Sequence, residues 1–393
     1  MSRNSVSSGS PRIEDRFISS AADFSFLLAR AIPPSGTVSK PLLMLTRYGP
    51  LGASSRVRAY QFVPALQEAG FDVQVAPLLG ETYLRSLYAG EPISRAFFAQ
   101  AYARRIRDTL AARRADLVWI EKELLPWAPG WFETGLLAGI PYVVDYDDAV
   151  FHTYDDHPSP AVRRLLGQKI DKLMRGAALV VAGNPYLAAR ADAAGARRVE
   201  ILPSVIDLSR YREALPADPD RPFTVGWIGS AGSDRALDAI EDVLRDLTRA
   251  GILRLRLIGS EGRRLQGVSL ESRPWSEETE VDEIRQLDAG IMPLPDETWT
   301  RGKCGYKLIQ YMGCALPVIA SPIGVNEEIV GQGVCGFLAN TADEWRSAFL
   351  TLRSDVAARR AMGQRGRARV EERYSLRVAE PRMIDLLQSV LPR

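Results

Sequence analysis

From Pro41 onward the chain repeats one unit, a short apolar run followed by a longer segment of helical periodicity, and it does so in two series. The runs of the first series are residues 42–46, 72–76, 117–120, 142–145, 179–182 and 199–202, with helical patterns such as 55–68 and 94–114 between them. The second series has runs at 223–228, 253–258, 289–292 and 318–320, and its first helix is expected over 234–248. Strands covered on both faces read as continuous apolar runs, and parallel neighbours need a crossover, usually a helix. The pattern therefore predicts an α/β fold of two Rossmann-like parallel-sheet domains facing a central cleft. The polar stretch ALPADPDRP marks a linker at 207–221 between domains at 39–206 and 222–375. Residues 1–38, rich in Ser and Pro, read as a disordered or loosely ordered extension, and 376–393 as a last helix whose return to the first domain stays open. In open parallel sheets, ligands bind at the carboxyl ends of the strands, which here both face the cleft.

Composition narrows the function classes. Of 393 residues 46% are hydrophobic and 25% charged, and the formal net charge of +2 gives no reason to expect nucleic acid as a partner. Cys304, Cys314 and Cys335 have no metal-like spacing and read as free thiols of a reducing compartment. No apolar run approaches the about 18 residues of a membrane span. The start lacks the apolar core of a signal peptide, so a cytoplasmic setting is expected.

The richest stretch is GKCGYKLIQYMGCALPVIASPIGVNEEIV, residues 302–330. It reads as a loop, a helix over 306–313, a buried strand and a turn into another helix. The first turn of a helix offers unpaired N–H groups and the positive end of the macrodipole. Gly302 and Gly305 allow close approach to the backbone, and Lys303 and Lys307 add charge, which together describe a seat for a diphosphate. Each half also opens with a strand and a glycine-containing loop. One carries Gly49, Gly52, Ser54 and Ser55 ahead of Arg56 and Arg58; the other carries Gly229, Ser230 and Gly232 ahead of Arg235. Such loops bring donors to an anion, or are tight turns with capping serines. Neither is GxGxxG, which disfavours a nicotinamide enzyme.

In VVDYDDAVFH the pair Asp145 and Asp147 has the spacing of a metal-holding Asp-x-Asp, but acids at a strand end also cap helices, and no metal is assigned. Asp148 and His152 are candidates for meeting acceptor or sugar hydroxyls. The segment 83–114 mixes aromatic residues with seven arginines, which suits either an anionic membrane surface or a solvated face over a packed helix. Trp227 and Trp275 are pocket walls or core, and Cys304 has no base beside it to make it a nucleophile.

GWIGS at 226–230, KLIQYMGCALPVIASPIGVNEEIV at 307–330 and MGQRGRARVEERYS at 362–375 together resemble family 4 glycosyltransferases of the GT-B fold. SSRVR, VVDYDDAVF, AGNPYLA (182–188) and ILPSVID (201–207) fit the same group in the same order, so the resemblance runs from Pro41 to the C-terminus. It implies transfer of a sugar from a nucleotide diphosphate donor with retention, no required metal or other cofactor, and a donor held mostly by the second domain. The partners implied are that donor and an acceptor glycan, glycolipid or small molecule; no oligomeric state is implied. The setting implied is bacterial polysaccharide or glycolipid assembly, with a secondary-metabolite acceptor or a degenerate nucleotide-sugar-binding protein as alternatives.

By the same resemblance, Gly305, Tyr306 and Lys307 meet the diphosphate through their N–H groups. Lys303 and Lys307, or Arg235, supply the cations. Two acids are expected at the positions of Gly302 and Gln310, and neither is acidic here. Asp296 and Glu297 are nearby substitutes for the first. Gln310 retains hydrogen bonding toward a ribose, Glu328 matches an acid near ribose or sugar, and His152 is the counterpart of a histidine that meets the sugar. Gly52 and Arg56 complete the expected donor contacts from the first domain.

Overall fold

The computed structural model describes residues 40–215, 221–230 and 232–392; the expected N-terminal extension and the centre of the expected linker lie outside the described residues. The first sheet contains β1 (Lys40–Leu45), β2 (Phe71–Val75), β3 (Leu117–Glu121), β4 (Tyr142–Tyr146), β5 (Leu179–Ala182) and β6 (Val199–Ile201). The second contains β7 (Thr224–Ile228), β8 (Arg254–Ile258), β9 (Leu270–Arg273), β10 (Ala289–Met292), β11 (Val318–Ala320) and β12 (Gly336–Leu338). Their orders are β2-β1-β3-β4-β5-β6 and β12-β11-β10-β7-β8-β9. Every pairing is parallel, with Leu42 opposite both Val73 and Leu117, and Val225 opposite both Leu255 and Ala289. The central strands β3, β4, β5, β7 and β10 are buried along their whole length, which is why they stand out in the sequence as apolar runs.

Two strands carry too little of that signal to be read. β9 is LESR, half-exposed at a sheet edge, and β12 is the three-residue GFL at the other edge. The helix expected over 55–68 is divided into Ala53–Arg58, a 3-10 turn at Tyr60–Phe62 and Val63–Glu68. Pro64 has no N–H to donate back to Tyr60, so it starts a helix rather than continuing one.

The halves are joined where two passes of the chain lie side by side. Ile206 N–H donates to the Tyr374 carbonyl, and Leu376 N–H donates back to the Ile206 carbonyl. Residues 207–215 are fastened to the second half: Tyr211 is buried there, Ala214 N–H donates to Cys314 O at 2.7 Å and Leu215 N–H to Arg285 O at 2.9 Å. After the second pass, the Leu376–Gln388 helix packs Ala379, Met383, Leu386 and Leu387 on the first sheet, against a cluster containing Leu42, Met44, Val143 and Val181.

Candidate active site

On the first half, the site is organised around carboxylates at strand ends. Glu121, the last residue of β3, accepts from the Arg47 N–H (2.9 Å), Ser54 Oγ (3.0 Å) and Ser55 Oγ (2.5 Å), which folds the β1 loop down onto the sheet. Ser55 in turn accepts from Tyr48 N–H at 2.9 Å. Asp145 at the end of β4 receives Arg58 Nε and Nη2 at 2.7 and 2.8 Å, a bidentate and fully buried pair. Burial opposes the charge on Arg58, but Asp145 outweighs it and holds the guanidinium firmly protonated. Asp147 accepts from Ser54 Oγ at 2.6 Å and pairs with Lys122 Nζ at 3.0 Å. The Asp145-x-Asp147 pattern is therefore committed to an arginine, a serine and a lysine. Among the described residues no cluster of His, Cys, Asp and Glu has the makings of a metal site.

Asp148 lies between two lysines. Its Oδ2 stands 3.0 Å from Lys122 Nζ and its Oδ1 2.7 Å from Lys303 Nζ, which belongs to the other half. Burial works against the Asp148 carboxylate, yet Lys122 and Lys303 together hold it well below the usual carboxylate range. Lys122 reaches this position from a left-handed backbone (φ 62°).

The same loop crosses from the second half at other points. Asn184 Nδ2 donates to Gly302 O (2.9 Å) and Lys303 O (3.2 Å), and Cys304 Sγ lies 3.2 Å from Asp147 O. Thr298 Oγ1 reaches Asp156 at 3.1 Å. Cys304 is buried in the core of the first half, where burial pushes its thiol up to about 12, so it is a packing residue. A Cβ on Gly302 would stand 2.5 Å from Ala149 Cβ and 2.9 Å from Ala149 N. The acid expected at this position has no space, because the first half closes on the backbone there.

The helix Tyr306–Gly313 begins behind this crossing. Gly305 is its N-cap in the left-handed region (φ 65°), and the N–H groups of Gly305, Tyr306 and Lys307 carry no hydrogen bond among the described residues. Lys307 places its ammonium 4.9 Å from the Trp227 ring centre. Burial, then the charge of Lys303, draws its pKa down to about 8. Gly229 follows β7, with Trp227 and Ser233 filling the space a side chain would need. Arg56 of the first half lies 5.0 Å over the Trp275 ring of the second.

Other expected contacts are turned elsewhere. Gln310 is buried, and its amide donates to Tyr211 OH at 3.1 Å and approaches Glu280 Oε2 at 3.4 Å. A carboxylate thus does stand beside Gln310, but it comes from the Glu280–Ile284 helix, where Trp275 Nε1 also donates to it at 2.8 Å. His152 has both ring nitrogens engaged, with Asp155 and Tyr186 OH, each at 2.8 Å. Ser230 and Ser233 bond to each other in the loop after β7. Arg235 is mostly exposed, 3.9 Å from Glu297, and Glu328 is mostly exposed, 3.9 Å from Arg373. Asp296 pairs with Arg301 at 2.8 Å. Glu121, Lys122, Asn184 and Glu280 were not read as site residues from sequence, since their partners lie far along the chain.

Comparison with known proteins places this geometry. Residues 52–204 match the family model described as glycosyl transferase 4-like domain, and residues 222–355 match that of glycosyl transferases group 1. The chain belongs to the GT-B glycosyltransferases. No curated protein sequence matches it. Among solved structures, sucrose-phosphate synthase from Thermosynechococcus elongatus is similar with a TM-score of 0.67 at 16% identity, over 89% of this chain and 98% of that one. Anabaena HepE in complex with UDP-glucose gives a TM-score of 0.64 at 15% identity, over 89% of this chain and 99% of that one. The α,α-trehalose 6-phosphate synthase of Burkholderia multivorans gives 0.57 at 14% identity, over 90% and 97%. These likenesses establish a shared fold for the transferase.

Proposed function

We propose that this transferase moves a sugar from a nucleotide diphosphate donor to an acceptor hydroxyl with retention at the anomeric carbon and without a metal ion. One observation carries the reading: the open N–H groups of Gly305, Tyr306 and Lys307 at a helix start, with the Lys307 ammonium drawn into a crowded position beside Trp227. As the sugar–phosphate bond breaks, negative charge grows on the diphosphate. Fixed donors and a cation at that point stabilise it without reorganising. Lys303, already bound to Asp148, keeps a second positive charge beside the first. With the leaving diphosphate held on the same face as the incoming hydroxyl, a diphosphate oxygen takes the acceptor proton and no protein nucleophile is required. Gly229 and Gly52 are packed against Trp227 and Tyr48, which fixes the two strand-end loops at the cleft.

The HepE structures contain UDP and UDP-glucose, which makes a uridine donor the first to test. Assembly of a bacterial polysaccharide or glycolipid is the proposed setting. Purified protein is screened with nucleotide diphosphate sugars for a rise in melting temperature, which a donor binding only the folded state must cause. Nucleotide release is then measured with and without acceptors. Lys307→Ala is expected to lower turnover by roughly a hundredfold while leaving the melting temperature within a few degrees. Near-normal turnover of that variant would remove Lys307 from the mechanism. Donor binding with no transfer or hydrolysis would favour the degenerate binding protein instead.

A further inference from the structure

Among the described residues, the four most exposed large apolar side chains all belong to the first half: Leu165 at 74%, Trp131 at 67%, Tyr88 at 61% and Trp127 at 53%. Leu87 and Phe98 are exposed beside them. They form one arc. The Glu81–Tyr88 helix and the start of the Arg95–Ala111 helix project from the body: the first buries only Leu84, and the second buries nothing before Ala101. Tyr83 stacks on Phe97 between these helices, and Phe98 meets both rings edge-on. One turn beyond Phe98, Tyr102 donates to Pro126 O at 2.6 Å, which carries the arc to Trp127. The Trp127 ring meets Tyr154 and His157 edge-on, and Arg163 donates to His157 O, leading on to Leu165.

Two further features bear on what covers this arc. Trp127 holds a left-handed backbone (φ 62°), fixed by the bond from its N–H to Tyr154 OH at 3.1 Å; a tryptophan there is strained, and the strain presents its ring outward. The charge along the first part of the arc is also one-sided. Over residues 81–114, Arg85, Arg95, Arg104, Arg107, Arg113 and Arg114 are exposed, against Glu81, Glu91 and Asp108; at the other end Arg163 and Arg164 precede Leu165, with Asp155 and Asp171 beside Arg163. Exposed tryptophan and tyrosine rimmed by arginine suit the boundary between lipid headgroups and acyl chains, where an aromatic ring is half wet and phosphates neutralise the cations.

We propose that this arc seats the protein on an anionic bilayer surface, with Tyr88, Phe98, Trp127 and Trp131 at headgroup depth and Arg85, Arg95, Arg163 and Arg164 against lipid phosphates. No helix among the described residues is long and apolar enough to cross a membrane, so the seat is peripheral. The seat stands independently of the transferase reading and adds to it only a membrane-borne acceptor.

The test is co-sedimentation of the full chain with vesicles of phosphatidylcholine and phosphatidylglycerol in equal parts, beside vesicles of phosphatidylcholine alone. Binding is expected to the mixed vesicles, weakening as salt rises, with a blue shift of tryptophan fluorescence. The double variant Phe98→Ser/Trp131→Ser is expected to lower partitioning by roughly tenfold or more at an unchanged melting temperature. Arg85→Gln/Arg95→Gln is expected to erase most of the preference for phosphatidylglycerol. Absence of binding to the mixed vesicles, or binding that both variants keep in full, overturns the proposal. So does self-association without vesicles that Phe98→Ser/Trp131→Ser dissolves, since the arc would then join copies of the chain. Donor-induced melting shifts measured on the same samples report on the transferase reading separately.

Discussion

Gly302 and Gln310 show how a single position can be closed to the residue a family leads one to expect there. The first lies against Ala149, where any side chain must displace backbone as well as a methyl group. The second is packed beside Glu280, so a carboxylate at 310 would meet another in a buried setting. Two acids that close cannot both ionise cheaply, and the folded pKa of the pair must rise above its unfolded value. Gln310→Glu is therefore expected to cost about 1–3 kcal/mol at neutral pH. The sign follows from linkage: the folded state holds the extra proton, so the variant is least impaired below the ordinary carboxylate pKa and loses stability as pH rises through the raised one. Urea titrations at pH 5 and pH 8 would show it, and equal losses at both would refute the paired-acid picture. Lys307 titrates with the opposite consequence. Its pKa of about 8 lies below the usual lysine value, so the unliganded protein loses this cation as pH passes 8. Transfer at low donor concentration is expected to decline over that range, and Lys307→Arg, which stays charged, is expected to lose the decline while keeping part of the activity.

Among the elements, the segment from Thr298 to Cys304, a one-turn helix at Thr298–Arg301 and the loop after it, does most to define the site, because it belongs to the second half and is bonded to the first. Asn184 holds it by two carbonyls, and Asp148 holds it through Lys303. Asn184→Ala is expected to raise the donor KM by roughly tenfold with a smaller change in kcat, since the diphosphate seat follows directly after this loop. An unchanged KM would mean that the helix start is positioned without the loop. This element also marks the limit of what sequence conveys. The buried strands were legible because β3, β4, β5 and β10 are continuous apolar runs, and the helix at Tyr306–Gly313 was legible from its glycine and its amphipathic spacing. β9 and β12 were not, since edge strands of three or four residues have little apolar pattern to show. The candidate site was legible as a phosphate-seeking helix start. Its supporting shell was not: Ser54 meets Glu121 only once the first sheet has formed, and Asp148 meets Lys303 and Asn184 meets Gly302 only after the two halves have closed on each other. Asn184 falls inside AGNPYLA, yet nothing in those seven residues says that its amide spans two halves.

For the molecule as a whole, the chain passes between the two halves at Ile206 and again at Tyr374–Leu376. Any opening of the cleft has to turn about these two passes of the chain and release the contacts of the Thr298–Cys304 segment. The Leu376–Gln388 helix is the second bond between halves, and it belongs to the core of the first. Removing residues 376–393 would take away Ala379, Met383, Leu386 and Leu387 and uncover the part of the sheet face they pack on. Each large apolar side chain contributes about 1.5–3 kcal/mol when buried, against a total stability of about 5–15 kcal/mol. The truncated chain is expected to be insoluble or to melt far below the full chain; a cooperative transition at the original temperature would contradict this. The same helix sets an order on biosynthesis. The first half leaves the ribosome with one face of its sheet covered only in part, by the Phe62–Leu66 segment, and the remainder stays bare while the entire second half is translated, on the order of ten seconds or more. The nascent chain thus carries an unfinished apolar surface through most of its synthesis, so the part made first is the last to be completed.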